Sequence, residues 1–473
     1  MSKFVAVAII ALFIFSCVDP ATQPPVLSAS QSATPVPQDS VQFPSPQVEF
    51  IVGPQLRTGS PLNPWPWFDS NATAAGRVLG KAFPASPPTD QEHFGGFTNY
   101  YDQVLTQYIN AYRAANESER QEFLGYARKA ADSWWKYAGI DQGRVRNWHG
   151  DTPGQLTPAP RMAALGGLIL RALDGRPEMW DWIAEYAKAK LWLFLMPVRL
   201  NAPSNSIGTR DPGFVLLHAA WVAKVLPDSY PLQAGGTGNG VAVRQQLTAD
   251  IQKWVRDYWR RLQVKGTGTT KDGAWPWSDE TLRGITVPFH VGILLEGLIA
   301  VHRLTGQQEA KDAILASVTN LRTACWDPRP VTTFSELRNG DPNIKARWHS
   351  YNCHGGDVTN PTRYEAWPGN PADLSSGWPN GVKEAREINS TIMHAYGYAY
   401  FISGDPKFKE WGDDVFSASF GNKQGPGADG LTDLAYLIGN GSSAKSYNQN
   451  YRAAGRYLVW RLGRKNPTPT PTP

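Results

Sequence analysis

The sequence predicts an all-α protein in which paired helices close into a ring, and two observations predict it. First, an apolar run, a tight Gly turn and an amphipathic run recur along the chain. The clearest copies are LILRALDGRPEMWDWI (168–183), LIAVHRLTGQQEAKDAI (298–314) and YAYFISGDPKFKEWGDDV (398–415). Spaced repeats of this size are the mark of stacked helical hairpins. Second, the first helix of each pair is apolar nearly all round, whereas the second carries one apolar stripe. Ala310, Ile314, Val318 and Leu321 form one such stripe; Phe408, Trp411, Val415 and Phe416 form another. A helix apolar on every face is buried on every face, and a striped helix covers it, so the array forms two layers. No alternating strand pattern interrupts the helices.

The elements follow in chain order. MSKFVAVAIIALFIFSC (1–17) has a charged start at Lys3, an apolar stretch from Phe4 to Phe15 and the small residue Ser16 before Cys17. It reads as an export signal, too short to span a bilayer. The Ser-Cys junction resembles a bacterial lipobox, which implies that Cys17 is lipidated; plain cleavage and release is the alternative. Residues 18–48, rich in Pro, Ser, Thr and Gln, read as a flexible tether. The helical domain occupies 49–463, and a Thr-Pro tail (464–473) follows it.

Within the domain the pairs are 98–115 with 117–138, 159–173 with 177–195, 212–226 with 243–262, 287–304 with 308–326, and 386–402 with 406–420. A closing helix covers 447–462, and the region around 71–82 supplies its partner. The whole then reads as an (α/α)6 toroid of inner and outer helices. Connections from inner to outer helix are mostly short (ANES, DGRP, TGQQ, SGDP), whereas those returning to the next inner helix are long: 139–157, 196–211, 263–286, 327–385 and 421–446. All long loops therefore emerge on one face, above the N-termini of the inner helices. Long loops in compact domains are usually functional.

Those loops carry the candidate chemistry. The chain holds 19 Trp, 18 Tyr and 18 Phe, a surplus that suits a surface on which flat ligands stack. NWHGDTPG contributes Trp148, His149 and Asp151, and GTRDPGF contributes Arg210 and Asp211. DGAWPWSDETLRG contributes Asp272, Trp275, Trp277, Asp279, Glu280 and Arg283. The longest loop carries RWHSYNCHGGD and then Glu365, Trp367 and Trp378; the last carries Asp429 and Asp433. Trp faces stack on pyranose rings, and paired carboxylates supply acid and base or nucleophile. The expected roles are Asp151 with Asp279 or Glu280 as the carboxylate pair, Arg210 or Arg283 as orienting groups, and the Trp residues with His149 as subsites. A loop Asp also caps helices, and Asp211, just before Pro212, reads as a helix start.

The architecture resembles the six-hairpin toroids of carbohydrate-active enzymes, glycoside hydrolases and polysaccharide lyases. DGAWPW before an apolar inner helix is similar to the DGGWP segments of some toroidal pectate lyases. The triplet His349-Ser350-Tyr351 is similar to that of toroidal alginate lyases, whose pattern has Asn before the His where this chain has Trp348. That resemblance implies β-elimination from a uronic acid polymer. Arg347, His349 and Asn352 would neutralise the carboxylate, and Tyr351 or His349 would take the C5 proton. A third likeness, to the zinc site of lanthionine cyclases, would use Cys325, Cys353 and His354. In an exported protein the same two cysteines read more simply as a disulfide.

The bulk numbers bound the rest. A net charge of +5 permits an acidic substrate, while a basic stripe and a reader motif for nucleic acid are both missing. No metal and no cofactor is expected; the expected partners are a polysaccharide or oligosaccharide substrate and, through a lipid anchor, the membrane. A non-catalytic glycan-binding lipoprotein is the competing class. On the inner helices, His290 and Asn389 lie near helix starts and suit the cleft, whereas Glu296 and His302 lie deeper and read as satisfied core groups. Asp413 and Asp414 read as a solvated face.

Overall fold

The structure, a computed structural model, describes residues 45–82, 102–137, 163–199, 209–230, 240–268, 272–275, 285–327, 348–349, 353–354, 390–420 and 443–463. It is all-α apart from two two-residue ladders. In chain order, α1 is Pro46–Val52, α2 Pro66–Ala82, α3 Gln103–Arg113, α4 Glu117–Tyr137, α5 Leu165–Leu173, α6 Trp180–Arg199 and α7 Arg210–Val225. Helix α8, Gly240–Trp254, runs on through a π turn, Val255–Trp259, to Leu262. Then come α9 Pro288–Thr305, α10 Gln308–Ala324, α11 Met393–Ser403, α12 Pro406–Phe420 and α13 Ser443–Trp460.

The two-layer reading of the hydropathy holds. Helix α9 is buried from Pro288 through Val301 on every face, and α7 nearly so. By contrast α10 buries Ala310, Ile314, Val318 and Leu321 and leaves its other faces more open. Helix α3 packs on α5, α5 on α7, α7 on α9, α9 on α11 with its 3-10 lead-in, α11 on α13, and α13 again on α3. Outside them α4 covers α3 and α5, α6 covers α5 and α7, α8 covers α7 and α9, α10 covers α9 and α11, and α12 covers α11. Helix α2 lies against α3, α4 and α13, the place the sequence assigns to the region around 71–82. This cyclic order is compatible with six hairpins in a ring.

Two glycines set the closest approach between inner helices. A Cβ on Gly213 of α7 would come 2.7 Å from the backbone of Ile293, and one on Gly297 of α9 would come 2.5 Å from the Gly213 carbonyl. The turns that end α9 and α11 need glycine for another reason. Gly306 and Gly404 have φ of 68° and 73°, the left-handed cap that stops a helix sharply before the next begins.

Helix α1 closes one end of the array. Ser45 accepts a hydrogen bond from the Val48 amide at 3.3 Å, Pro46 opens the first turn, and Val48, Ile51 and Val52 are completely buried. Residues 46–48, assigned to the tether from composition, are therefore helical. The last turns of the inner helices hold α1 by its carbonyls. Arg303 of α9 donates to the Phe50 carbonyl at 3.0 Å, and Arg456 of α13 donates to those of Val52 and Ile51 at 3.1 and 3.0 Å. Arg303 also lies 4.8 Å above the Phe50 ring. Since these contacts come from helix C-termini, α1 packs at the end opposite the connections that return from outer to inner helices. The returning segments all leave outer-helix C-termini and enter inner-helix N-termini at the other end.

Candidate functional site

Much of the predicted site lies outside the described residues: Asp151, Asp279, Glu280, Tyr351, Asn352, Trp148, His149, Trp277, Arg283, Arg347, Trp367, Trp378 and Cys17. For Trp348, His349 and Cys353 the backbone alone is described, and it is informative. Trp348–His349 pairs antiparallel with Trp326–Asp327 at the end of α10, and Cys353–His354 pairs with Ile285–Thr286 just before α9. Trp348–His349 and Cys353–His354 thus lie at the same end of the α9–α10 pair, where α10 finishes and α9 begins.

The described candidates divide. Arg210 begins α7, half-buried and 3.6 Å from the Asp211 carboxylate, so Asp211 sits in the first helical turn as expected. Asp272 closes its own loop, accepting from the Thr267 amide at 2.9 Å, the Thr267 hydroxyl at 2.8 Å and the Gly268 amide at 3.0 Å. Trp275 departs from the sequence reading. Its indole is 2% exposed, meets Trp259 edge-on at 6.2 Å and donates to the Trp259 carbonyl at 3.1 Å. It is a core group of the outer wall, without an open face for a sugar. The same wall anchors the loop: Gln263 Nε2 and the Ser317 hydroxyl donate to the Gly273 carbonyl at 3.0 and 2.8 Å. Asp413 and Asp414 also differ from expectation. Asp413 accepts from Tyr457 at 2.6 Å and Arg461 at 2.7 Å, and Asp414 accepts from Arg322 at 2.7 Å, so both tie helices together.

Sequence reasoning missed a polar group inside the array. Arg452 and Arg456, four residues apart and so on one face of α13, each bond one oxygen of Glu296 on α9. All three are at most 6% exposed. Burial pushes the Glu296 carboxyl up, but Arg452, Arg456 and His394 outweigh it and hold it at about 2. His218 of α7 lies among Phe214, Trp221 and Tyr186, with ring centroids 5.7–6.3 Å away. Burial, then Arg452, lowers His218 to about 3; burial, opposed by Glu296 and reinforced by the arginines, lowers His394 to about 3. Both imidazoles are therefore neutral near pH 7. Among the described residues, His218 Nδ1 has no hydrogen-bond partner, whereas His394 lies beside the Thr391 backbone.

Above them, Asp102 joins two helices. One oxygen accepts from the Leu105 amide at 2.9 Å and the other from the Gly167 amide at 3.1 Å, so one side chain caps both α3 and α5. Its φ of 66° is a conformation Asp tolerates better than most residues. Burial raises its carboxyl to about 6, against those amides and Arg452. A polar residue on an otherwise apolar inner helix was the signal that could have found His218 and His394, because burying such a group costs free energy unless something in the interior compensates it. His302 and Glu296 do behave as satisfied core groups: His302 Nδ1 lies 2.7 Å from the Tyr398 hydroxyl. His290, in the first turn of α9, is buried.

No family model, curated protein or solved structure matches the chain.

Proposed function

We propose that the chain is an exported carbohydrate-active enzyme that cleaves the glycosidic bonds of a polysaccharide. One observation carries the reading: α1 packs at the C-terminal ends of inner helices, and the connections that bear the candidate Trp and carboxylate residues run from outer-helix C-termini to inner-helix N-termini, at the opposite end. In this reading the helices form a six-hairpin toroid whose open end is a cleft. Asp151 and one of Asp279 or Glu280 act as base and acid in hydrolysis, Arg210 or Arg283 orients the sugar, and loop Trp residues form subsites. The protein is carried to the cell envelope by its signal, lipidated at Cys17 or released.

A lyase acting on a uronic acid polymer is the second reading, favoured by the two ladders that pair Trp348–His349 with the strand after α10 and Cys353–His354 with the strand before α9. We also propose a Cys325–Cys353 disulfide in that region. Supporting it, Cys325 is fully buried at the C-cap of α10, next to the Trp326–Asp327 strand that pairs with Trp348–His349.

A screen of neutral and acidic polysaccharides, reading new reducing ends and ultraviolet absorbance together, tests the proposal. Hydrolysis gives reducing ends alone, elimination adds the absorbance of an unsaturated product, and a binding protein gives neither. Replacing Asp151, Asp279 and Glu280 together with Asn, Asn and Gln is expected to cut hydrolysis by about 10²-fold or more. Undiminished cleavage by that variant removes the carboxylate-pair assignment.

A further inference from the structure

We propose a second sugar-binding site on the outer surface, in the groove between α6 and α8, that takes a neutral pyranose chain. The groove has a volume of about 600 Å3, within the range of small-molecule sites. Its aromatic element is Trp192, an outer-layer indole 47% exposed, next to Leu193 at 49%. Exposed apolar residues occurring singly need no explanation. Here the indole lines a concavity together with Val243 and the polar side chains of Glu185, Lys188, Gln246 and Asp250. An open aromatic face rimmed by amide, carboxylate and ammonium groups matches a pyranose, which has an apolar C–H face and a hydroxyl edge.

Charge selects among sugars. The lining holds two carboxylates and one ammonium, and Lys188 Nζ is already paired with Glu185 at 2.7 Å. A net negative rim disfavours uronate, sulfate or phosphate groups and accepts neutral hydroxyls. The groove lies between the outer-layer helices α6 and α8, both of which pack on α7, the inner helix that carries His218. It therefore holds polymer without belonging to the cleft.

The inference rests on the reading of the chain as a polysaccharide-cleaving enzyme, and the experiment separates the two. Affinity electrophoresis of the full chain and of Trp192→Ala is run through gels containing a neutral glucan, mannan or xylan, and through gels containing alginate or pectin. Cleavage of a short oligosaccharide is measured in parallel. We expect Trp192→Ala to lose about tenfold or more in retention by a neutral polymer, with oligosaccharide turnover and melting temperature unchanged. Gln246→Ala is expected to weaken retention in the same direction. Equal retention of parent and Trp192→Ala overturns the site even if cleavage persists. Retention that depends on Trp192 without any cleavage keeps the site and removes the enzyme reading. A change of oligomeric state with unchanged retention makes the groove an interface between copies and also overturns it, as does stronger Trp192-dependent retention by the acidic polymers.

Discussion

Glu296 occupies the middle of an inner helix, where a lone carboxylate would be very costly, and two arginines from α13 make its place tenable. Removing one partner of a buried pair leaves the others uncompensated, so Glu296→Gln is expected to lower unfolding stability by about 3–5 kcal/mol in urea at pH 7. The pH dependence follows from the direction of each shift. Glu296 is depressed from 4.5 to about 2, so its contribution is present above 4.5 and is lost as pH falls toward 2. His218 and His394 are depressed from 6.5 to about 3, so theirs is present above 6.5 and is lost as pH falls below it. Asp102 runs the other way: raised from 3.8 to about 6, it disfavours the fold as pH rises through that window. Melting temperature should fall between pH 7 and 5, and His218→Phe should flatten that slope; an unchanged slope would refute the assignment. The sequence made Glu296 legible as a paired group, because a carboxylate on an apolar helix needs a partner. It did not identify Arg452, which lies 156 residues away.

At the scale of elements, the α7–α9 contact sets how tightly the inner layer packs. Gly213→Ala puts a methyl 2.7 Å from helix backbone that has no rotamer to move, so the helices must part. A loss of about 1–3 kcal/mol is expected by chemical denaturation. The equivalent change at exposed Gly125, where a Cβ meets nothing within 4 Å, should be neutral or slightly stabilising. Helix existence and layer are readable from periodicity here, but boundaries are not. The apolar pattern predicts α5 from 159, yet it begins at Leu165, because Ala164 takes a left-handed conformation with φ of 30° where α5 meets the Asp102 cap. Trp275 shows the same limit. DG and PW around it are turn signals, yet its burial depends on α8 and α10 meeting beside it.

For the whole molecule, α1 is the element that makes one end a floor. Deleting residues 1–44 is expected to leave the melting temperature unchanged within about 1 °C, since surface substitutions and tails change stability little. Deleting 1–53 exposes the interior that Val48, Ile51 and Val52 fill and strips Arg303 and Arg456 of their carbonyl partners. A loss of about 5 kcal/mol or more is expected, read as a large drop in melting temperature or failure to fold. Equal stability of the two truncations would show that α1 is not part of the folded array.

What the sequence determined by itself was the all-α class, the inner and outer layers and the short Gly turns. Those follow from local periodicity and turn chemistry, which act within a few residues. The tertiary structure decided that residues 46–48 belong to a plug, that Trp275 is core, and that His218, Glu296, His394, Arg452 and Arg456 meet inside the array. These depend on desolvation and on charges brought together from distant helices. No local pattern encodes which helix face a charge will find across the array.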